Sequence, residues 1–375
     1  MTHDTGYYGA SRSLQTFLAS YETQRADLLI NRRLLRQNDL DAIRSRFGPH
    51  VTNIWEGLLP FDRCFRGKPV RTVPLVARNA LASWGRERLL ERIAAEHFDF
   101  IYLNSLALHQ LIDPRLPFII HVREIYDGTN SEAVKFLDNA HGVIFIDGAT
   151  KSAFPQLSAP WVILNNPFDM RVDHPNKVKS MGERFDLRSR TVFTLVGMMN
   201  ENKGTDFVID SFCRVARRDA VLILVGNGSG PYEKYCRKLT NGNPNVIFHG
   251  FEEDVASIYN LSDYVIRGEA YPCVGRTIYE GLYSGCAVVV PGDPSNVADI
   301  FEYDRFKEKI HFYPPRQSEA LGSLFRSLKK LDVRGPSLMS NVSDFINGFD
   351  SFVGTVVGRD RMSASAGSTT RAVLA

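Results

Sequence analysis

The chain has 375 residues, 44% hydrophobic and 23% charged, with a formal net charge of +3. That length exceeds one typical domain, and the composition is that of an ordinary soluble globular protein able to bury sizeable cores, so two domains are expected. The mild positive balance does not single out a nucleic-acid binder, and no nucleic-acid partner is expected.

The basic residues are unevenly placed. Arginines crowd the stretch from Arg25 to Arg92, among them Arg32, Arg33, Arg36, Arg44, Arg46, Arg63, Arg66, Arg71, Arg78, Arg86 and Arg88. The bland reading is a solvated basic surface. The sharper one is a face that meets anionic lipid headgroups or an anionic acceptor. The five cysteines (Cys64, Cys213, Cys236, Cys273, Cys286) form no CxxC pair and no zinc spacing, which points to a reducing compartment. No apolar run approaches the ~18 residues of a membrane-spanning helix, and no signal peptide opens the chain. A cytoplasmic protein is expected, at most peripheral at the inner face of a membrane.

Taken in chain order, the sequence opens Met1-Thr2-His3-Asp4 and runs straight into Gly6-Tyr7-Tyr8-Gly9. A doubly wound domain should open with a central hydrophobic strand, so a truncated or mis-started chain is expected. Strand patterns follow at Asp27–Asn31, Val51–Trp55, Phe100–Asn104, Phe118–His121, Val143–Asp147 and Trp161–Leu164, with helical patterns at Val73–His97 and Ser131–Asn139. The polar stretch Asn165–Arg190, with Pro167 and Pro175, reads as the break between halves. Beyond it, strands are expected at Val192–Val196, Val221–Val225, Val246–His249, Tyr264–Ile266, Ala287–Val290 and Ile310–Phe312. Helices are expected at Phe207–Arg217, Tyr232–Leu239, Val255–Tyr259, Thr277–Tyr283 and Ser318–Leu331. Ser337–Val357 reads as one more helix and Ser363–Ala375 as a frayed tail. The alternation predicts an α/β fold with parallel sheets. The expected domains are 1–170, 171–336, a C-terminal helix over 337–362 that returns to the N-terminal domain, and a disordered tail over 363–375.

Three places in the second half carry chemistry. Strand Val192–Val196 runs through Gly197 into Asn202-Lys203-Gly204 and then a helix. Backbone N–H groups and a helix start favour an anion there, and Lys203 adds a point charge. An isolated Lys-Gly is more often a surface turn. Strand Val221–Val225 enters Gly226-Asn227-Gly228-Ser229-Gly230, which is neither a dinucleotide fingerprint, since Pro231 stands at the sixth position, nor a P-loop. The segment Gly275–Gly292 reads as loop, helix start, short helix, glycine stop and buried strand. Amides of Val274–Thr277 are suited to an oxyanion at the helix start. Glu280, one turn in, is suited to accept two ribose hydroxyls. The competing reading of Glu280 is an ordinary solvated helix residue.

The ordered series (strand into Lys203-Gly204 and helix, strand into Gly226-Asn227-Gly228, Val246-Ile-Phe-His-Gly250-Phe251, Tyr259-x-x-Ser-Asp263 and Gly275–Gly285) resembles the retaining GT-B glycosyltransferases of family 4, the glycosyl transferases group 1. More loosely, Gly6–Ser13 resembles the family's glycine loop. Leu103-Asn104 and Phe118-Ile-Ile-His121-Val-Arg-Glu124 resemble its central strand ends, and Leu164-Asn165-Asn166-Pro167 its hinge. The resemblance implies two Rossmann-like domains facing across a cleft. The donor would be a nucleoside-diphosphate sugar, and the acceptor a glycan or lipid-linked hydroxyl in surface polysaccharide or glycolipid biosynthesis. No metal and no cofactor are expected. It implies that Lys203 neutralises the diphosphate, that Glu280 holds the ribose and that His121 lies beside the donor sugar. It further implies that Gly9, Ala10, Gly197, Gly226, Gly250, Phe251, Cys273, Val274, Gly275, Arg276 and Thr277 line the nucleotide-sugar site.

Two positions depart from the family pattern. Met198 stands where the family has an arginine partner for the lysine, with Arg276, Arg267 or Arg12 as substitutes. Pro272 stands where the first of two paired glutamates is expected, with Glu269 three residues earlier. These departures keep other readings open: a degenerate GT-B partner subunit, a sugar-nucleotide epimerase or a phosphorylase on the same plan.

Overall fold

The computed structural model describes residues 9–21, 25–31, 40–60, 73–124, 126, 131–172, 174–215, 217–228, 230–271, 275–295, 302–331, 339–358 and 371–374. The strands in chain order are β1 (Arg25–Asn31), β2 (Val51–Gly57), β3 (Ile101–Leu103), β4 (Phe118–Val122), β5 (Gly142–Phe145), β6 (Trp161–Ile163), β7 (Thr191–Val196), β8 (Ala220–Val225), β9 (Val246–Gly250), β10 (Tyr264–Ile266), β11 (Ala287–Pro291), β12 (Ile310–Tyr313) and β13 (Arg371–Leu374). The chain divides into two compact units, Met1–Pro167 with Asn341–Ala375, and Phe168–Ser340.

The first unit is a parallel sheet in the order β2-β1-β13-β3-β4-β5-β6. Its strands alternate between two apolar faces, as a period of two requires. Leu29, Ile101, Leu103, Phe118, Ile120 and Phe145 point to one core, where Leu90 and Ile93 of the helix Val73–Ala95 cover them. Leu28, Ile30, Tyr102, Ile119 and Ile144 point to the other. That face is covered by Leu14 and Phe17 of the helix Gly9–Ser20 and by Phe345, Phe349 and Val353 of the helix Val342–Val357.

The second unit is a parallel sheet in the order β12-β11-β10-β7-β8-β9. Phe193 and Leu195 of β7 face one core with Ile209, Phe212 and Phe325, while Val265 and Val288 face the opposite one with Ile278, Tyr279 and Leu282. Asp263 ties its strands: Oδ2 accepts from the Val192 amide at 2.8 Å and Oδ1 from that of Leu331 at 3.3 Å. Ser262 and Thr194 exchange a hydroxyl bond at 2.6 Å. The Tyr-x-x-Ser-Asp motif thus supplies structural joints as well as Tyr259.

The structure departs from expectation in three places. The glycine-rich opening continues into a helix, Gly9–Ser20. The stretch read as aperiodic contains the helix Pro175–Arg184, whose proline takes the first turn, where its missing N–H costs nothing. Residues 371–374, expected within a frayed tail, form β13 between β1 and β3, with Leu374 paired to Leu28 on one side and Tyr102 on the other. No helix among the described residues is long and apolar enough to cross a membrane.

Candidate active site

In the second unit the strand ends converge through glycines. Gly197 and Gly226 have φ of 144° and 136°, and a Cβ on Gly226 would lie 2.0 Å from the Gly197 carbonyl oxygen. The Gly226 amide donates to the Gly250 carbonyl at 2.7 Å. β7, β8 and β9 therefore close on one another at their C-terminal ends, the edge at which open α/β sheets bind ligands. Two apolar side chains stand exposed at this edge, Met198 at 53% and Phe251 at 40%.

Past β7, the Asn200 side chain accepts from the Lys203 amide at 3.0 Å and caps a single turn, Glu201–Lys203. Gly204, at φ 62°, ends that turn. A Cβ on Gly204 would sit 1.8 Å from the Gly268 carbonyl oxygen, and one on Gly268 would sit 2.9 Å from that of Lys203. Glycine at both positions lets the lysine turn lie directly on the segment after β10. Lys203 is thereby delivered to Glu269, Nζ to Oε1 at 3.3 Å.

Glu269 is only 1% exposed and collects a second cation. Arg267 donates to it from Nε at 3.1 Å and from Nη2, and its Nη1 reaches Thr277 Oγ1 at 2.7 Å. Burial alone would raise the Glu269 carboxyl pKa. The Arg267 and Lys203 charges outweigh it and hold the value below the ordinary range. Arg267 packs under the start of the helix Arg276–Tyr283: a Cβ on Gly275 would come within 3.0 Å of its Nη1 and Nη2. The N-cap Gly275 supplies no side-chain cap. Of the three arginines considered as substitutes for the one missing at Met198, Arg267 is the one seen sharing a partner with Lys203. Pro272, Cys273 and Val274 lie outside the described residues.

Glu280 is buried, at 2% exposure. Its Oε1 accepts from Arg276 Nε at 2.7 Å and its Oε2 from Tyr259 Oη at 2.9 Å. The Arg276 guanidinium lies 4.9 Å over the Phe168 ring. Arg276 is therefore committed to Glu280, one helical turn away, rather than to Lys203. The simple solvated reading of Glu280 does not hold.

In the first unit, Gly9 has φ 54° and opens the first helix. The Ala10 carbonyl accepts from Asn104 Nδ2 at 2.9 Å, and Ser13 Oγ reaches Asn166 Oδ1 at 2.9 Å. His121 is fully buried on β4, with its ring stacked on Phe345 at an interplanar angle of 9° and Nδ1 2.6 Å from Tyr102 Oη. Burial, then the charge of Arg123, pushes its pKa well below the usual histidine value, against a smaller opposite pull from the Leu164 backbone, so the ring is neutral. Arg123 donates from Nη2 to Tyr102 Oη at 2.9 Å and from Nη1 to Asn166 Oδ1. Glu124 accepts from the Leu106 amide at 3.0 Å and from Ser105 Oγ, fixing the loop after β3. Asn31 Oδ1, Asn104 Oδ1, His121 Nε2 and Asn165 Nδ2 are buried without a hydrogen-bond partner among the described residues. All four stand at or just past the C-terminal ends of β1, β3, β4 and β6. Arg267 and Glu269 were weighed from the sequence as stand-ins for the missing arginine and glutamate, whereas Tyr102 and Arg123 were not placed in the site.

Residues 190–328 match the family described as "Glycosyl transferases group 1". Glycogen synthase of Paracidovorax citrulli is 33% identical over 106 residues, 27% of this chain and 21% of that protein. Glycogen synthase 1 of Synechococcus is 28% identical over 127 residues, 32% of this chain and 26% of that one. The matches thus span about a fifth to a quarter of these relatives' length. Anabaena Alr3699/HepE, solved in complex with UDP and glucose, superposes with a TM-score of 0.60 at 18% identity, covering 97% of this chain and 98% of that one. WaaG, a glycosyltransferase involved in lipopolysaccharide biosynthesis, superposes at 0.56 with 12% identity over 98% and 94% of the two chains. Sucrose-phosphate synthase from Thermosynechococcus elongatus gives 0.63 at 14% identity over 95% and 92%. These likenesses show the fold, the GT-B architecture of two Rossmann-like units.

Proposed function

We propose that this chain is a retaining glycosyltransferase of family 4 that moves a sugar from a nucleoside-diphosphate sugar to an acceptor hydroxyl, without a metal. One observation carries this reading. Lys203 and Arg267 converge on Glu269 beside the uncapped start of the helix Arg276–Tyr283, inside the segment that matches the glycosyltransferase family. Two cations and a helix N-terminus on one spot suit a diphosphate, with Glu269 holding the cations in its place. Arg267 then supplies the charge that Met198 lacks. Glu280, oriented by Tyr259 and Arg276, holds the ribose, and Phe251 offers an apolar face to the base.

In the reaction the bond between the sugar's anomeric carbon and the diphosphate oxygen breaks as the acceptor oxygen bonds that carbon. The acceptor's proton passes to the leaving phosphate. Lys203, Arg267 and the amides of Gly275–Thr277 stabilise the negative charge that develops on that phosphate, an electrostatic contribution already in place before the bond breaks. His121, neutral and buried, serves a sugar hydroxyl. That HepE is solved with UDP and glucose supports a nucleotide-sugar donor. The acceptor is a glycan or a lipid-linked glycan of surface polysaccharide or glycolipid synthesis, met at the inner face of a membrane. Leu81 and Trp84 support this, exposed at 57% and 78% on the helix Val73–Ala95, with the Arg88 guanidinium 5.5 Å from the Trp84 ring. Aromatic, aliphatic and arginine side chains on one exposed helix face suit a lipid interface.

The test is release of nucleoside diphosphate across a panel of nucleotide sugars with a lipid-linked acceptor extract. Release with one donor, lost in Lys203→Ala, is expected. Exposed Met198 favours a second reading, a catalytically degenerate GT-B partner subunit. A protein whose melting temperature shifts with no nucleotide or nucleotide sugar would decide for that reading.

A further inference from the structure

Tyr102, His121 and Arg123 form a chain of contacts that the family resemblance does not supply. Arg123 Nη2 donates to Tyr102 Oη at 2.9 Å, and the same oxygen stands 2.6 Å from His121 Nδ1. A guanidinium only donates. With Arg123 donating into its oxygen, the phenol's own proton is best placed on the bond to His121, and Nδ1 then accepts. A neutral imidazole that accepts at Nδ1 carries its proton on Nε2.

We infer that Tyr102 and Arg123 are positioning residues that lock His121 in its Nε2–H tautomer, so that it donates a hydrogen bond to a sugar hydroxyl. The sugar as recipient rests on the proposed glycosyltransferase reading; the lock does not. The ring is held on every side. Its plane stacks on Phe345, its Nδ1 is taken by Tyr102, and among the described residues no side chain meets Nε2, the Leu164 backbone acting on the ring only as a minor pull. Arg123 is itself fixed by Asn166, whose Oδ1 also accepts from Ser13 of the first helix. Burial and the guanidinium both disfavour a second proton on the ring. His121 therefore acts by donating from Nε2 and takes no part as a general base.

The lock is read directly from the 15N spectrum of protein labelled at histidine, with His121 assigned through His121→Gln. The expected wild-type signal is the Nε2–H tautomer without added ligand. Tyr102→Phe removes the donor to Nδ1 and is expected to give a mixed or Nδ1–H tautomer, with kcat down about tenfold, one lost transition-state hydrogen bond, and donor KM nearly unchanged. Arg123→Gln is expected to do the same more weakly, and Arg123→Lys, which still donates, to retain the wild-type signal. If Tyr102→Phe does not fold, Arg123→Gln carries the comparison. Nδ1–H in the wild type, or an unchanged tautomer in Tyr102→Phe and Arg123→Gln, overturns the lock. The expected spectra in a protein that transfers no sugar would uphold the lock and reject the function proposed above.

Discussion

Lys203 and Glu269 stand 66 positions apart in the chain, yet Nζ and Oε1 lie 3.3 Å apart. With Arg267 on the same carboxylate, Glu269 is the hub of a largely buried ion cluster. Breaking a buried pair leaves an uncompensated charge and costs about 3 kcal/mol, somewhat less here because partly exposed Lys203 is screened by solvent. Glu269→Gln is therefore expected to lower the urea midpoint. The pH dependence has a definite sign. The folded-state carboxyl lies below its ordinary value of 4.5, so its stabilisation is complete above that value and fades as pH falls through the depressed folded pKa. Between about pH 7 and about pH 3 the wild type should lose more stability than Glu269→Gln. Equal losses would show that the cluster is not coupled to folding.

The same cluster sets expectations for nucleotide binding. Lys203→Ala and Glu280→Gln should each weaken donor affinity about tenfold, the worth of one hydrogen bond to a charged group. Arg267→Gln should weaken it too, whereas Met198→Gln should not. Calorimetric titration of the preferred nucleotide checks all four. Wild-type affinity in the Lys203 and Glu280 variants would end the proposed mechanism, and in Arg267→Gln it would end the idea that Arg267 replaces the missing arginine.

Glycine substitutions should divide by position. Gly204→Ala meets the Gly268 carbonyl at a positive φ and is expected to cost more than about 2 kcal/mol. Gly85→Ala, in the helix Val73–Ala95 with nothing within 4 Å of the new methyl, is expected to add about 0.5 to 1 kcal/mol. Chemical denaturation of both variants reads the difference. A tolerated Gly204→Ala would mean that the lysine turn does not rest on the β10 loop.

β13 gives both β1 and β3 a hydrogen-bonding neighbour. Deleting residues 371–375 should therefore speed amide exchange in the middle of β1 and in β3 while leaving β7 and β8 protected. Unchanged protection in β1 and β3 would show that the strand contributes nothing to the sheet in solution.

Much of the fold was legible in the sequence, for a physical reason. Strands of a parallel sheet are covered on both faces and read as unbroken apolar runs, as Val192–Val196 and Val221–Val225 do. Lys203 was legible because a strand, a glycine turn and a helix stood around it. Arg267 stood there only as one of three candidate partners, and its meeting with Lys203 on Glu269 depends on β10 pairing with β7, a neighbour relation that no local pattern encodes. Arg276 on Glu280 was within reach, since four residues is one helical turn. Tyr102 beside His121 was not, because it depends on the register of β3 against β4. β13 is four residues in a polar stretch, and only the sheet's topology gives it a place.

The helix Val342–Val357 seats Phe345, Phe349 and Val353 against Leu14, Phe17 and Tyr21. In a chain made from its N-terminus, Phe168–Ser340 is complete and free to fold before that helix has left the ribosome. The first sheet has to wait, with part of one apolar face uncovered, through the synthesis of an entire second unit. Leu14, Phe17 and Tyr21 are thus made a whole unit earlier than the helix that completes their enclosure.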